Sequence, residues 1–127
     1  MYVDSDIIYA LLRPEDRLRE LARRIIQRDK KIYTSIITVL ELQLVAKREI
    51  SEIYSQKMLE EIKAILPDLV FKEYTQDTIN KSSFLRKKYG LGIFDSIHAA
   101  TSFMNDKLIA YTDHIYDRIN GLERVAK

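Results

Sequence analysis

The chain has no cysteine and no tryptophan, and only 3 glycines and 2 prolines in 127 residues. Without cysteine there are no disulfides, no thiolate metal sites and no cysteine nucleophile. A chain of this kind suits a reducing compartment, so a cytoplasmic protein is expected. No apolar run approaches the roughly 18 residues of a membrane span. The opening segment, MYVDSDIIYALL, carries Asp4 and Asp6 and has no basic stretch before its apolar part. A secretory signal peptide is therefore not expected. So little glycine and proline leaves room for short loops and long helices. A charge of one sign is missing too: 21 Lys+Arg stand against 19 Asp+Glu, a net of +2.

What is present is a core. Hydrophobic residues make up 46% of the chain, which excludes a disordered one, and the length suits one domain over residues 1–127. Residues 1–4 (MYVD) read as a short strand and 7–12 (IIYALL) as a short helix. Pro14, Glu15 and Asp16 are the kind of residues that open a second helix. Strands are expected over 32–35, 69–73 and 108–112, with a last short one in LERVA (residues 122–126). Helices are expected around Glu41, over 52–66 up to Pro67, from Thr75 to about Tyr89, and over 95–104. Ser35 or Thr38 is expected to cap the helix that carries Glu41. Strands alternating with helices predict an α/β fold with a mainly parallel sheet.

Four acids sit in apolar surroundings, where a carboxylate without a partner is unfavourable. Asp4 ends the first strand, where it can be either a helix N-cap or a ligand-facing residue at the strand's C-terminal end. Glu41 lies in ITVLELQLV, with Ile37 and Thr38 one turn before it and Leu44 and Val45 one turn after. It faces the core, as a site residue or as the partner of a buried base. Asp95 opens DSIHAATSF, as a cap or at the edge of a crevice. Asp113 follows the strand LIAYT, as a turn residue or a site residue. Their convergence at one end of one sheet favours a site. Several carboxylates there repel one another unless a cation neutralises them. Oxygen donors select Mg²⁺ or Mn²⁺, and such a centre suits phosphodiester hydrolysis.

MYVDSD, SIITVLEL, GIFDSIHAATS and LIAYTDHIYDRINGLE, in that order and spread over nearly the whole chain, resemble the motifs of a PIN domain. Within that family they resemble those of the VapC-like toxin ribonucleases. The resemblance implies a three-layer α/β/α fold with a central sheet of four to five strands. It also implies a metal-dependent endoribonuclease acting on single-stranded RNA, with Asp4, Glu41, Asp95 and Asp113 as the acidic quartet. Asp4 and Asp95 would be the nearest ligands of Mg²⁺ or Mn²⁺. Asp113 would bind directly or through water, and Glu41 through water or as a base toward the attacking water. Ser5 and Asp6 match supporting positions after the first acid. A homodimer and a VapB-like antitoxin are the implied partners. Many relatives carry a further acid two residues after the fourth. Here that position is Ile115, and Asp117 stands one residue after the aromatic Tyr116.

Other features have competing readings. His98, one turn after Asp95, is either near the chemistry or packed and hydrogen-bonded; we take the second. Residues 13–31 carry eight basic side chains against four acidic, so this segment is positive and the remainder negative. They form either a solvated helix face or a rim for RNA, with Arg13 and Arg17 the strongest RNA candidates. Arg86, Lys87 and Lys88 pose the same choice, and we take the solvated one. Tyr9, Tyr89 and Tyr116 are candidates for stacking on bases. IIYALL and the helix after it are a candidate groove for a second copy or an antitoxin. Two further functions compete. VDSDII also resembles the Asp-x-Asp motif of haloacid-dehalogenase-like phosphohydrolases, with Asp4 as nucleophile and Asp6 as general acid. That fold normally needs a longer chain and a motif lysine, and it leaves Glu41 unexplained. The other is a non-toxin PIN module for RNA processing or binding.

Overall fold

A computed structural model describes residues 1–29 and 31–125. Its elements are β1 (Tyr2–Val3), α1 (Ser5–Leu12), α2 (Arg19–Ile26), β2 (Tyr33–Ser35), α3 (Ile37–Glu49), α4 (Glu52–Gln56) and α5 (Met58–Ile65). There follow β3 (Val70–Lys72), α6 (Gln76–Tyr89), α7 (Ile93–Phe103), β4 (Leu108–Ala110) and β5 (Glu123–Arg124). The five strands form one sheet in the order β3-β2-β1-β4-β5, and every pairing is parallel. The sheet is thus wholly parallel, with β1 at its centre, as a strand buried on both faces should be.

Alternation along the strands sorts the core into two layers. Met1, Val3, Ile32 and Ala110 face one side, against Ile7, Ile8, Ile25, Leu42 and Ile62 from α1, α2, α3 and α5. Tyr2, Tyr33 and Ile109 face the other, against Leu85, Ala99 and Ala100 from α6 and α7 and against Tyr111 and Tyr116. Ala99 and Ala100 are fully buried, and their small size brings α7 close to the sheet. Burying Ile7 or Ile8 contributes about 1.5–3 kcal/mol each. Those two, with Ala10 and Leu11, put IIYALL inside the core, so it forms no exposed groove. The exposed apolar stripe is instead Ile36, Leu40 and Leu44, on the outer side of α3.

Local rules explain most element ends. Thr75 Oγ1 accepts from the Thr78 N–H and starts α6; Gly90 ends it in the left-handed conformation at φ 69°. Three expectations shift. The helix expected from Pro14 begins only at Arg19, because the Asp16 carboxylate accepts from the Leu18 N–H and closes a turn instead. The helix over 52–66 breaks at Lys57 into α4 and α5. The helix expected from Asp95 starts at Ile93, after the N-cap Gly92, so Asp95 lies inside the first turn and is not a cap. Neither expected cap takes the N-cap position of α3, which is Ile36; Ser35 lies just before it, its Oγ accepting from the Ile37 N–H, and Thr38 lies within the helix. Lys30 of the basic segment and Ala126 of the last expected strand lie outside the described residues.

Candidate active site

The strand order reverses at β1 and β4. From β1 the chain builds outward through β2 and β3, and then returns to place β4 on the other side. A crevice at the C-terminal ends of strands on either side of such a switch is where open parallel sheets bind ligands. Asp4 follows β1 there, and its N–H bonds to the Ala110 carbonyl at the end of β4. It takes the N-cap position of α1, but its side chain makes no capping hydrogen bond. The carboxylate is 5% exposed and points into a cluster of other ionisable groups.

Three further elements complete the cluster. Tyr116 sends its buried hydroxyl to Asp4 Oδ1 (3.2 Å) and to Asp95 Oδ1 (3.4 Å). His98, fully buried on α7, places Nε2 2.7 Å from Glu41 Oε1 and 3.5 Å from Asp4 Oδ1. Its Nδ1 meets the Tyr2 hydroxyl, which also contacts Thr38 Oγ1 at 3.3 Å. Ser5 hydrogen-bonds the Glu41 carboxylate. Asp4, Glu41 and Asp95 are therefore neighbours, bridged by one imidazole and one phenol.

The charge balance is uneven. Burial pushes the Asp4 carboxyl up to about 8; His98 opposes this, while Asp6 and Glu41 add to it. Asp95 is raised as well, by burial first and then by Glu41 and Asp113. Burial also acts to raise Glu41, but its bonds to His98 and Ser5 hold it below the usual carboxylate range. His98 is held well above its ordinary value: burial alone would lower it, but Tyr2, Asp4 and Glu41 outweigh that. One buried imidazolium thus faces three carboxyl groups; it keeps Glu41 ionised, while burial makes Asp4 and Asp95 hold their protons more tightly.

The remaining expected residues are placed differently. Asp113 is exposed, accepts from the Ile115 N–H at 3.2 Å, and reaches the cluster only through its charge on Asp95. Asp6 Oδ2 is committed to Thr112, accepting from its N–H (2.7 Å) and its hydroxyl (2.6 Å). Asp6 therefore ties α1 to the end of β4. Asp117 is engaged by Tyr111, His114 and Arg124. Arg13 is bound to Glu15 (3.1 Å) and to the Tyr9 hydroxyl (2.8 Å), whereas Arg17 is exposed. Tyr116 is buried and so is not a stacking platform. A cleft of about 470 Å³ lies at the opposite end of the sheet, beside Met1, Lys31 and Asp106.

The family profile for the PIN domain matches residues 1–122. The chain belongs to the PIN domain family. Solved structures share its fold. A toxin–antitoxin complex from Klebsiella pneumoniae superposes with a TM-score of 0.71 at 21% identity, covering 96% of this chain and 94% of that one. VapC20 of Mycobacterium tuberculosis, a toxin that cleaves the sarcin-ricin loop, gives 0.77 at 13% identity and 94% coverage of both chains. FitAcB from Neisseria gonorrhoeae gives 0.73 at 20% identity, covering 97% and 94%. A comparison with curated proteins finds no match.

In this PIN domain the donors at the crevice, carboxylate oxygens, are of the type that hard divalent cations take. The acids at the crevice offer oxygen donors, and Asp4 and Asp95 are desolvated carboxyls whose ionised form a bound cation would favour. Among the described residues no three carboxylate or imidazole groups stand together in ready ligating geometry. The Tyr116 hydroxyl lies between Asp4 and Asp95, and His98 holds Glu41. Sequence reasoning found the acids but not these two partners. His98 was legible as a packed histidine; its pairing with Glu41, 57 residues away, was not. The alternation of Tyr2 with Val3 in β1 was the available signal that Tyr2 turns toward α7.

Proposed function

We propose that this chain, as one PIN domain over residues 1–127, is a metal-dependent endoribonuclease that hydrolyses phosphodiester bonds of single-stranded RNA. We propose further that it is the cytoplasmic toxin of a VapBC-type pair. The observation that carries the reading is the convergence of Asp4, Glu41 and Asp95 at the switch point, where a single buried imidazole faces three carboxyl groups. Asp4 and Asp95 would hold Mg²⁺ or Mn²⁺, with Asp113 at the outer side and Glu41 reaching it through water. The bound ion supplies charge neutralisation and a water of lowered pKa. Glu41, kept ionised by His98 and oriented by Ser5, is suited to take the proton of the attacking water. Tyr116 and His98 hold the carboxylates in place.

The stripe of Ile36, Leu40 and Leu44 beside Glu41 supports docking of an antitoxin or of a second copy in a homodimer. The haloacid-dehalogenase-like alternative needs Asp6 free as general acid, and both bonds of its Oδ2 go to Thr112. The test uses a pool of structured and unstructured RNAs with Mg²⁺, with Mn²⁺ and with EDTA. Wild type should cut in either metal and stop in EDTA, and Asp4→Asn and Asp95→Asn should not cut. Equal cutting by all three proteins, or cutting that survives EDTA, would refute the reading.

A further inference from the structure

We infer that the outer face of α6 is the track on which single-stranded RNA lies as it approaches the acid pocket. The inference rests on the ribonuclease reading above. α6 carries Lys81, Arg86, Lys87 and Lys88 against a single acid, Asp77. None of the four cations pairs with a carboxylate among the described residues. The basic segment before β2 differs: Arg13 is held by Glu15, and Arg23 lies 3.9 Å from Glu20.

The cations alternate with aromatic rings. Lys81, Phe84 and Lys88 share one helix face by their three- and four-residue spacing. Lys81 Nζ stands 5.3 Å from the Phe84 ring centre and 4.3 Å from that of Phe103. Lys88 Nζ stands 5.8 Å from Phe84 and 5.4 Å from Tyr89. Phe84 is 53% exposed, on a helix whose sequence is otherwise largely polar. Phe103 is backed by Gly121, where an added Cβ would come within 2.8 Å of its ring.

Position joins this face to the site. From Lys81 to Tyr89 the helix rises about 12 Å. It ends at Gly90, and Gly92 then caps α7, whose first turn holds Asp95. A chain lying along α6 therefore arrives at the carboxylates. Unpaired cations attract phosphates, and an exposed ring such as Phe84, flanked by the half-buried Tyr89 and Phe103, stacks on unpaired bases without reading their identity. A duplex hides its base faces, so the aromatic part of this track serves single strands.

The test measures binding of a fluorescein-labelled single-stranded oligoribonucleotide to the uncleaving Asp95→Asn protein across a salt series. Adding Lys81→Ala with Lys88→Ala should weaken binding at least tenfold and lower the slope against log salt by about 1.4. Adding Phe84→Ala should weaken single-strand binding about tenfold, leave the slope alone and spare duplex RNA. Arg17→Ala should do less than either. The track is refuted if the α6 variants bind RNA like their parent while the wild type still cuts it; the nuclease reading then stands. A wild type that neither binds nor cuts RNA refutes both. Variants that change the sedimentation coefficient but not RNA binding make the face a protein interface, which also refutes the track.

Discussion

Each end of the parallel sheet gathers two aspartates around one shared donor, the Met1 amine at one end and the Tyr116 hydroxyl at the other, and the two pairs respond in opposite directions. At the N-terminal end of the strands, Asp106 accepts from the Met1 amine (2.7 Å), the Tyr33 hydroxyl (2.5 Å) and the Leu108 N–H (3.1 Å). Burial works to raise Asp106, but these donors hold it below the usual carboxylate range. Asp29 is lowered too, chiefly by the Lys31 N–H. At the C-terminal end, Asp4 and Asp95 share the Tyr116 hydroxyl and are raised. The residue type is the same; the depth of burial differs first, and the supply of donors second. A satisfied, half-exposed pair fastens the fold, whereas the buried pair is the one the proposed metal would hold.

The contrast can be broken in four ways, from the largest effect down. Asp4→Asn or Asp95→Asn should lower RNA cleavage at least about a hundredfold, the size expected for removing a preorganised electrostatic group. Asp29→Asn and Asp106→Asn should leave the rate unchanged, as initial velocities in Mg²⁺ would establish. His98→Ala strips the buried acids of their resident cation and should cost about 3–5 kcal/mol in urea unfolding. The third test is pH. Asp4 has its ordinary value of 3.8 when unfolded and about 8 when folded, so the folded state binds the extra proton between them. Metal-free stability should therefore fall as pH rises from about 4 to about 8, by a few kcal/mol, and Asp4→Asn should flatten that slope. The raised His98 acts in the same direction above its unfolded value of 6.5. Mg²⁺ should restore the stability lost, and an unchanged urea midpoint across this range would contradict the burial of Asp4. Last, Asp106→Asn should cost only about 1 kcal/mol, since its side chain is 38% exposed and screened. A calorimetric melt would measure it.

Most of the architecture was legible, because it follows from short-range rules. The strand–helix alternation gave all five strands, and Thr75, Gly90 and Pro67 marked helix ends where such residues act locally. Asp95 was misplaced by two residues because a glycine cap leaves no side-chain signature. Lys57 offers no breaker, so the α4–α5 break was silent. In the site, acids among apolar neighbours announce themselves, since their desolvation needs a remedy. The remedy does not: His98 and Tyr116 come from segments remote from Glu41 and Asp4, and only the folded sheet brings them together. Solvent exposure was equally silent, which is why IIYALL read as a surface and Phe84 drew no attention.

The link between Tyr116 and Asp4 spans 112 residues, and β1 pairs with β4 across nearly the same interval. Contacts so remote along the chain form late and slowly. A ribosome could have released Asp4, Glu41 and Asp95 into solution and still have made no pocket. Assembly of the acids waits for the last strands, so a nascent or truncated chain carries the residues of the site while lacking the site itself.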